Sequence, residues 1–174
     1  MKPLMILMAV LGLCSFLLIG CAPVKIEQKA PDFLTSTIDG ERFALKDYVG
    51  QQRGNRVLIL AFFNTGCKAC EEDLRYLQRV YDLYKDNGLD VICIFTEHSN
   101  NPDVAKKFIR KLDLNLPVLL DTHGTISKRY NVTGLPCQYV IDRQGFLRFR
   151  NLGCSDAVKA KLEENLRELL STPY

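Results

Sequence analysis

The chain has 174 residues, of which 47% are hydrophobic and 25% are charged, and its formal net charge is +3. This length and composition are typical of one globular domain with a full hydrophobic core. The charge is small and dispersed, and no basic stripe alternates with aromatic residues, which argues against nucleic acid as a partner.

The N-terminal segment differs in composition from the rest of the chain. Lys2 is followed by an almost wholly apolar run at residues 4–20 and then by Cys21. A positively charged start, an apolar stretch and a small residue before the cleavage point are typical of a secretory signal peptide. Residues 1–20 are therefore predicted to be a signal peptide outside the fold. The alternative is an uncleaved anchor helix, because the run is near the lower limit of about 17 residues for a membrane span.

Residues 18–21 also resemble the bacterial lipobox, whose cysteine is lipidated before cleavage and becomes the mature N-terminus. The resemblance implies lipidation of Cys21 and a short lipidated tether over residues 21–29. Both interpretations attach the domain that follows, residues 30–174, to a membrane of the cell envelope, where it would face the periplasm or the cell exterior. No sequence feature indicates an oligomer, and a monomer is expected.

Residues 34–45 predict a small β-hairpin ahead of the main sheet. The Asp-Gly pair at 39–40 is a strong signal for a two-residue hairpin turn. The segment after the turn, residues 41–45, alternates apolar and polar residues. This pattern predicts a half-buried strand with Phe43 and Leu45 on one face.

The strongest local signal runs from residue 57 to residue 70. Residues 57–63 are all apolar and rich in β-branched and aromatic types, which predicts a strand buried on both faces. A short turn ending at Gly66 then leads to Cys67 and Cys70. From residue 71 to residue 87 apolar side chains recur at the spacing of one helix face. Cys67 is therefore predicted to lie at a helix N-terminus.

This position has chemical consequences for the two cysteines. The free N–H groups and the dipole at a helix N-terminus favour a thiolate over a thiol. Cysteines placed in this way in Cys-X-X-Cys pairs have pKa values of roughly 3.5 to 7.5, against about 8.5 for a free cysteine. Cys67 is predicted to be the nucleophile. Cys70, one turn further into the helix, is predicted to be the resolving thiol, which attacks a mixed disulfide formed at Cys67.

Two other interpretations of the Cys-X-X-Cys pair are open. It can be half of a zinc site, although a structural zinc site normally needs two further Cys or His ligands at matching spacing. The other candidate ligands are isolated in the sequence: Cys93, Cys137, Cys154, His98 and His123. It can also be a purely structural disulfide, although so short a loop gains little stability from closure. No metal is expected, and no cofactor beyond a redox-active disulfide.

The rest of the chain alternates strand and helix patterns, which predicts parallel strands joined by helical crossovers and no second domain. The predicted elements are strands at 89–95, 116–120, 137–141 and 146–150 and helices at 101–112, 126–130 and 155–170. The last helix has Ser155 at a plausible N-cap. The turn at 142–145 predicts that the last two strands pair in an antiparallel manner.

Together these motifs resemble the thioredoxin fold, and more narrowly the TlpA/ResA group of membrane-tethered bacterial thiol-disulfide oxidoreductases. The matching motifs are Ala-Pro-Asp-Phe at 30–33, Asp-Gly at 39–40, the strand leading to the cysteine pair, Leu-Leu-Asp at 119–121, Gly-Leu-Pro at 134–136 and Val-Ile-Asp at 140–142. The resemblance begins at about residue 30 and continues to the C-terminus. It implies an α/β thioredoxin fold with a central mixed sheet flanked by helices and an N-terminal β-hairpin.

The resemblance also implies an activity and further site residues. Such a protein exchanges disulfides with protein thiols or disulfides in the cell envelope, commonly as a reductase, for example in cytochrome c maturation, and a membrane or soluble donor restores its dithiol. The family pattern implies that Pro136 is cis and faces the disulfide, and that the backbone of Leu135 pairs with the substrate chain. Asp73 matches an acidic position that can tune a thiol pKa or relay a proton. Its alternative role is to stabilise the first turn of the helix.

The sequence departs from the family pattern at Gly66, where an aromatic residue is usual, and this leaves the nucleophile more open. Lys68 adds positive charge that favours a thiolate at Cys67. Two other functions remain open for this sequence. A thiol peroxidase is one, because Thr65, Gly66 and Cys67 partly resemble the peroxiredoxin motif. A non-catalytic thioredoxin-like module that binds a metal or a partner is the other.

Three further cysteines lie in the predicted domain, at positions 93, 137 and 154. Cys93 lies inside an apolar strand pattern and is expected to be a small buried hydrophobic residue. Cys137 directly follows Pro136, and Cys154 precedes the last helix. If the two C-terminal strands pair as predicted, Cys137 and Cys154 could come within disulfide reach.

Overall fold

The computed structural model describes residues 26–49, 55–97 and 101–171. The predicted signal peptide, the predicted lipidation at Cys21 and His98 lie outside the described residues. Within those three ranges, no helix combines the length and the apolar character needed to cross a membrane.

The described chain forms a mixed sheet with helices packed on it, preceded by a separate hairpin. The strands are β1 (Leu34–Ser36), β2 (Arg42–Ala44), β3 (Val57–Phe63), β4 (Leu89–Phe95), β5 (Val118–Leu120), β6 (Cys137–Ile141) and β7 (Leu147–Leu152), and the helices are α1 (Lys68–Tyr84), α2 (Pro102–Leu112), α3 (Thr125–Arg129) and α4 (Asp156–Ser171). The five-stranded sheet has the order β5-β4-β3-β6-β7. Strand β3 runs parallel to β4 and antiparallel to β6, while β1 and β2 form the hairpin. The predicted fold class is confirmed.

Strand β3 is the centre of the core, because side chains from both of its faces are buried. Successive residues of a strand point to opposite faces of the sheet. Ile59 and Phe63 pack on one face with residues of α1, α2 and α4. Leu58 and Phe62 pack on the other face with residues of α3 and of the segment just before β1. The prediction of a strand buried on both faces is therefore confirmed.

Helix α1 begins three residues earlier than its apolar periodicity indicated, at Lys68. The reason is Cys67, whose backbone is extended and whose side chain caps the first turn. The helix continues as a short 3-10 turn to Asn87, and Gly88 ends it with a φ of 93°. A residue without a Cβ is favoured at such an angle, so Gly88 ends the helix as a C-cap.

Two strands are shorter than predicted. Strand β5 begins at Val118 rather than at residue 116, because Pro117 has no N–H to donate and its carbonyl accepts a hydrogen bond from the N–H of Cys93 at 2.9 Å. Strand β2 ends at Ala44, and Leu45 opens a 3-10 turn. Ala44 and Leu45 are both buried. The prediction that alternation extends to Leu45 is therefore wrong.

Candidate functional site

The two predicted active cysteines lie where β3 leads into α1, and they are joined by a disulfide with their Cα atoms 5.2 Å apart. Cys67 is partly exposed, whereas Cys70 has no exposed surface. The backbone N–H of Cys70 donates to the sulfur of Cys67 at 3.1 Å and also lies 3.0 Å from the carbonyl oxygen of Cys67. A donor directed at the sulfur stabilises negative charge there. One sulfur is thus accessible for attack, and the other lies behind it.

The surface around Cys67 is open. Gly66, Lys68 and Ala69 are exposed on either side of it. A Cβ placed on Gly66 would meet only the side-chain oxygen of Asn64, at 3.8 Å. Beyond the chain neighbours of Gly66, no other described residue comes within 4 Å of that position.

The loop before β6 reaches the same end of the sheet. The peptide bond between Leu135 and Pro136 is cis, as the resemblance implied. The first residue of β6, Cys137, lies opposite Phe62 near the end of β3, so the loop continues past the strand end that leads to Cys67. The carbonyl of Pro136 accepts a hydrogen bond from the N–H of Gly153 at 2.9 Å. Leu135 stays partly exposed, whereas Pro136 is buried.

Asp73 lies three residues after Cys70, inside the protein, with 2% of its surface exposed. Burial raises the pKa of Asp73 to about 6, although a hydrogen bond from Gln138 and the charge of Lys159 oppose that rise. The amide of Gln138 donates to Oδ1 of Asp73 at 2.6 Å. A buried carboxyl whose pKa is close to neutral can both accept and return a proton. Cys67, Cys70 and Asp73 thus follow one another along the first turns of α1, and Pro136 directly precedes β6, the strand paired with β3.

Three polar residues near this site were not predicted from the sequence. Gln138 lies in β6 and is 1% exposed, and its side chain contacts both Asp73 and Asn151 of β7. Lys159 of α4 bonds to Glu72, next to Asp73 along α1. A glutamine in a strand of otherwise apolar or aromatic residues, two positions after Pro136, was the available signal, because a buried amide needs a polar partner. Nothing in the local sequence indicated Asn151 or Lys159.

Among the described residues, three further cysteines are free thiols: Cys93, Cys137 and Cys154. Cys93 is fully buried in β4, as predicted, and burial raises the pKa of its thiol. Cys137 is also buried, whereas Cys154 is partly exposed. Cys137 pairs in register with Leu152, so Cys154 lies beyond the end of β7, after a left-handed residue at Gly153. This offset explains why the disulfide considered between Cys137 and Cys154 is absent.

Comparison with known proteins places these observations in a wider group. Residues 26–150 match the sequence model of the AhpC/TSA family. The thiol-disulfide oxidoreductase ResA of Bacillus thuringiensis subsp. konkukian is 32% identical over 147 residues, which cover 84% of this chain and 79% of that relative. The thioredoxin-like protein YneN of Bacillus subtilis is 30% identical over 139 residues, covering 80% of this chain and 77% of the other.

Solved structures show the same architecture. The crystal structure of a proposed thiol:disulfide interchange protein DsbE from Chlorobium tepidum superposes with a TM-score of 0.76 and 26% identity, covering 85% of this chain and 99% of that one. The crystal structure of StoA from Bacillus subtilis has a TM-score of 0.61 and 24% identity, covering 79% of this chain and 97% of the other. At this lower identity the second likeness concerns the fold alone.

Proposed function

From the premise that this chain belongs to the AhpC/TSA family, we propose that it is a membrane-tethered thiol-disulfide oxidoreductase acting on proteins of the cell envelope. The observation that carries the proposal is the disulfide at the N-terminus of α1, with Cys67 partly exposed and Cys70 buried. The relative at 32% identity is named a thiol-disulfide oxidoreductase, and the relative at 30% identity is named a thioredoxin-like protein. The proposed tether is a lipid on Cys21, supported by the apolar segment and the lipobox-like residues before it.

In the reducing direction, the reaction begins with the dithiol form. The thiolate of Cys67 attacks one sulfur of a substrate disulfide, and the other substrate sulfur leaves as a thiolate, which takes up a proton. Cys70 then loses its proton and attacks the sulfur of Cys67. The second substrate sulfur leaves as a thiolate and takes up a proton, and the disulfide between Cys67 and Cys70 forms. The substrate gains two electrons and two protons, and a separate dithiol donor restores the enzyme.

Asp73 is proposed to accept the proton of Cys70. The carboxyl lies one helical turn beyond Cys70 and is buried behind it, so solvent competes little for the proton. With a pKa of about 6, Asp73 is mostly ionised at neutral pH and can act as a base. Leu135 and Pro136 are proposed to bind the substrate chain, and the proposal is supported by their position before β6, which pairs with the end of β3 that leads to Cys67.

A thiol peroxidase is the enzymatic alternative, and the position of Thr65 does not favour it. The Thr65 hydroxyl donates to Oε2 of Glu97 at 2.5 Å rather than to a group on Cys67. Turnover of peroxide by the reduced chain would support the alternative. The non-catalytic binding module would be supported by a bound metal together with a cysteine pair that does not cycle.

The direct test is the reduction potential of the Cys67/Cys70 couple, measured on the full chain in detergent by equilibration with glutathione or thioredoxin. A value near that of thioredoxin, about −270 mV, is expected for a reductase supplied with electrons by a donor. A value near about −120 mV would instead identify a disulfide donor and overturn the reducing direction. A pair that does not equilibrate would overturn the oxidoreductase assignment itself.

A further inference from the structure

Three polar side chains form a buried row that ends on α1, three residues after Cys70. Asp73 of α1, Gln138 of β6 and Asn151 of β7 are 2%, 1% and 9% exposed. Gln138 and Asn151 are register partners on neighbouring antiparallel strands, and Gln138 is also opposite Ala61 of β3. The row therefore crosses the sheet from the edge strand to the helix that carries Cys70. Polar groups in such surroundings are costly unless each finds a partner.

The hydrogen bonds along this row have a direction. The side-chain N–H of Asn151 donates to Oε1 of Gln138 at 3.3 Å, and the side-chain N–H of Gln138 donates to Oδ1 of Asp73 at 2.6 Å. An amide has an acceptor at one end and donors at the other. Because Asn151 occupies the oxygen end of Gln138, the nitrogen end faces Asp73.

We propose that Asn151 fixes the orientation of the Gln138 amide, and that Gln138 in this orientation holds Asp73 as a carboxylate ready to accept the Cys70 proton. A donor to a carboxyl favours its charged form, whereas an acceptor favours the protonated acid. If the amide turned over, the same side chain would favour the acid. Asn151 and Gln138 are thus positioning residues. The inference rests on the proposed role of Asp73.

Other ionisable groups also face Asp73 and must be separated from this effect. They are Glu72 and Tyr76 on α1, Cys93 on β4, Cys137 on β6, Cys154 before α4 and Lys159 on α4. Lys159 favours the carboxylate, but its ammonium group is bonded to Glu72 and lies 5.7 Å from the ring centre of Tyr76. Among the described residues, Gln138 is the one that hydrogen-bonds to the Asp73 carboxylate.

The test compares Asn151→Asp and Asn151→Leu in the full chain in detergent, with the Asp73 carboxyl titrated by carbon-13 NMR and assigned with Asp73→Asn. In Asn151→Asp the new side chain, when ionised, can only accept, so Gln138 then turns its nitrogen end toward position 151 and its oxygen toward Asp73. The apparent pKa of Asp73 is expected to rise by about one unit or more. At a pH well below that pKa, the fraction of Asp73 present as carboxylate then falls about tenfold. Asn151→Leu, which merely frees the amide, should give a smaller rise.

A double-mutant comparison identifies the path of the effect, since a new charge at 151 could also repel Asp73 directly. Asn151→Leu adds no charge, and in a Gln138→Leu background it should give no further shift. Equal shifts in both backgrounds would show that Asn151 does not act through Gln138. Asn165→Leu on α4 is the matched control, because Asn165 is also buried, at 3% exposure, and bonds to none of the three residues. It should leave the titration unchanged.

A kinetic measurement separates this inference from the proposed function. The rate at which Cys70 resolves a preformed mixed disulfide at Cys67 is followed against pH, and its midpoint should move upward with the Asp73 titration in each Asn151 variant. If Asp73→Asn leaves the pH dependence of this step unchanged, the proposed role of Asp73 is wrong. If neither Asn151→Asp nor Asn151→Leu moves the Asp73 titration while the protein stays folded in thermal unfolding, the orienting role of Asn151 is wrong.

Discussion

Cys67 follows strand β3 and Cys93 lies within the neighbouring strand β4, yet the two thiols differ in exposure and in the groups around the sulfur. Cys93 lies in the middle of β4, opposite Ala61 of β3 and Val118 of β5, with no exposed surface. Burial raises the pKa of its thiol, and the charge of Asp73 raises it further. Cys67 lies four residues beyond the end of β3, is partly exposed, and its sulfur accepts the N–H of Cys70.

The comparison shows that the position along a strand decides whether a cysteine is chemically useful. Inside the sheet, every backbone N–H is directed at a neighbouring strand, so nothing stabilises charge on the sulfur. Beyond the strand end, the first turn of a helix offers N–H groups without intrahelical partners. A nucleophile therefore belongs at the junction, and a thiol within the strand serves packing.

The largest expected effect comes from removing each thiol in turn. Cys67→Ser should abolish disulfide exchange with a peptide disulfide, because no sulfur would remain at the exposed position. Cys93→Ala should keep the exchange rate within about twofold and lower the free energy of unfolding by about 1 kcal/mol through a small cavity. The measurements are exchange assays and denaturant unfolding. Full activity in Cys67→Ser, or its loss in a folded Cys93→Ala, would reverse the comparison.

The second largest expected effect concerns the buried carboxyl of Asp73. Because burial raises the pKa of Asp73 to about 6, the folded state binds its proton more tightly than the unfolded chain. Stability linked to Asp73 is therefore gained as pH falls through 6 and is lost at higher pH. Asp73→Asn, which can still accept from Gln138, should stabilise the oxidised protein at pH 7 by about 2 kcal/mol.

Thermal or denaturant unfolding at several pH values checks this prediction. The advantage of Asp73→Asn over the native chain should shrink as the pH falls from 7 to about 4. An advantage that is constant with pH would mean that Asp73 is not the titrating group. Asn165→Asp offers a contrasting control, because it places a new carboxyl in a buried position of α4 and should be destabilising at pH 7.

Much of this arrangement follows from local sequence signals. The apolar residues of β3 and the helical spacing after Cys70 predicted the junction that carries the cysteines. These signals are local, because strand and helix patterns depend on nearest neighbours along the chain. The cis bond before Pro136 came from the family resemblance and not from residue pattern.

What sequence could not supply is the partnership between distant residues. Asp73 and Gln138 are 65 positions apart, and Gln138 and Asn151 are 13 apart on paired strands. Their contact depends on strand register and on how α1 lies on the sheet, neither of which periodicity determines. The predicted end of β2 was wrong for a related reason, since Leu45 is buried by tertiary packing in a 3-10 turn rather than by strand alternation.

The smallest expected effect uses Cys154, whose environment is intermediate between the two cysteines first compared. Cys154 is partly exposed, but burial and the charges of Glu72 and Asp73 raise the pKa of its thiol. In the reduced protein, iodoacetamide should therefore modify Cys67 first, Cys154 more slowly, and Cys93 only on unfolding. Peptide mass spectrometry over a time course gives the order. Modification of Cys93 before Cys154 in folded protein would contradict this order, because burial would then not control access to the thiols. Cys154→Ser should leave the rate of disulfide exchange within about twofold of the native rate.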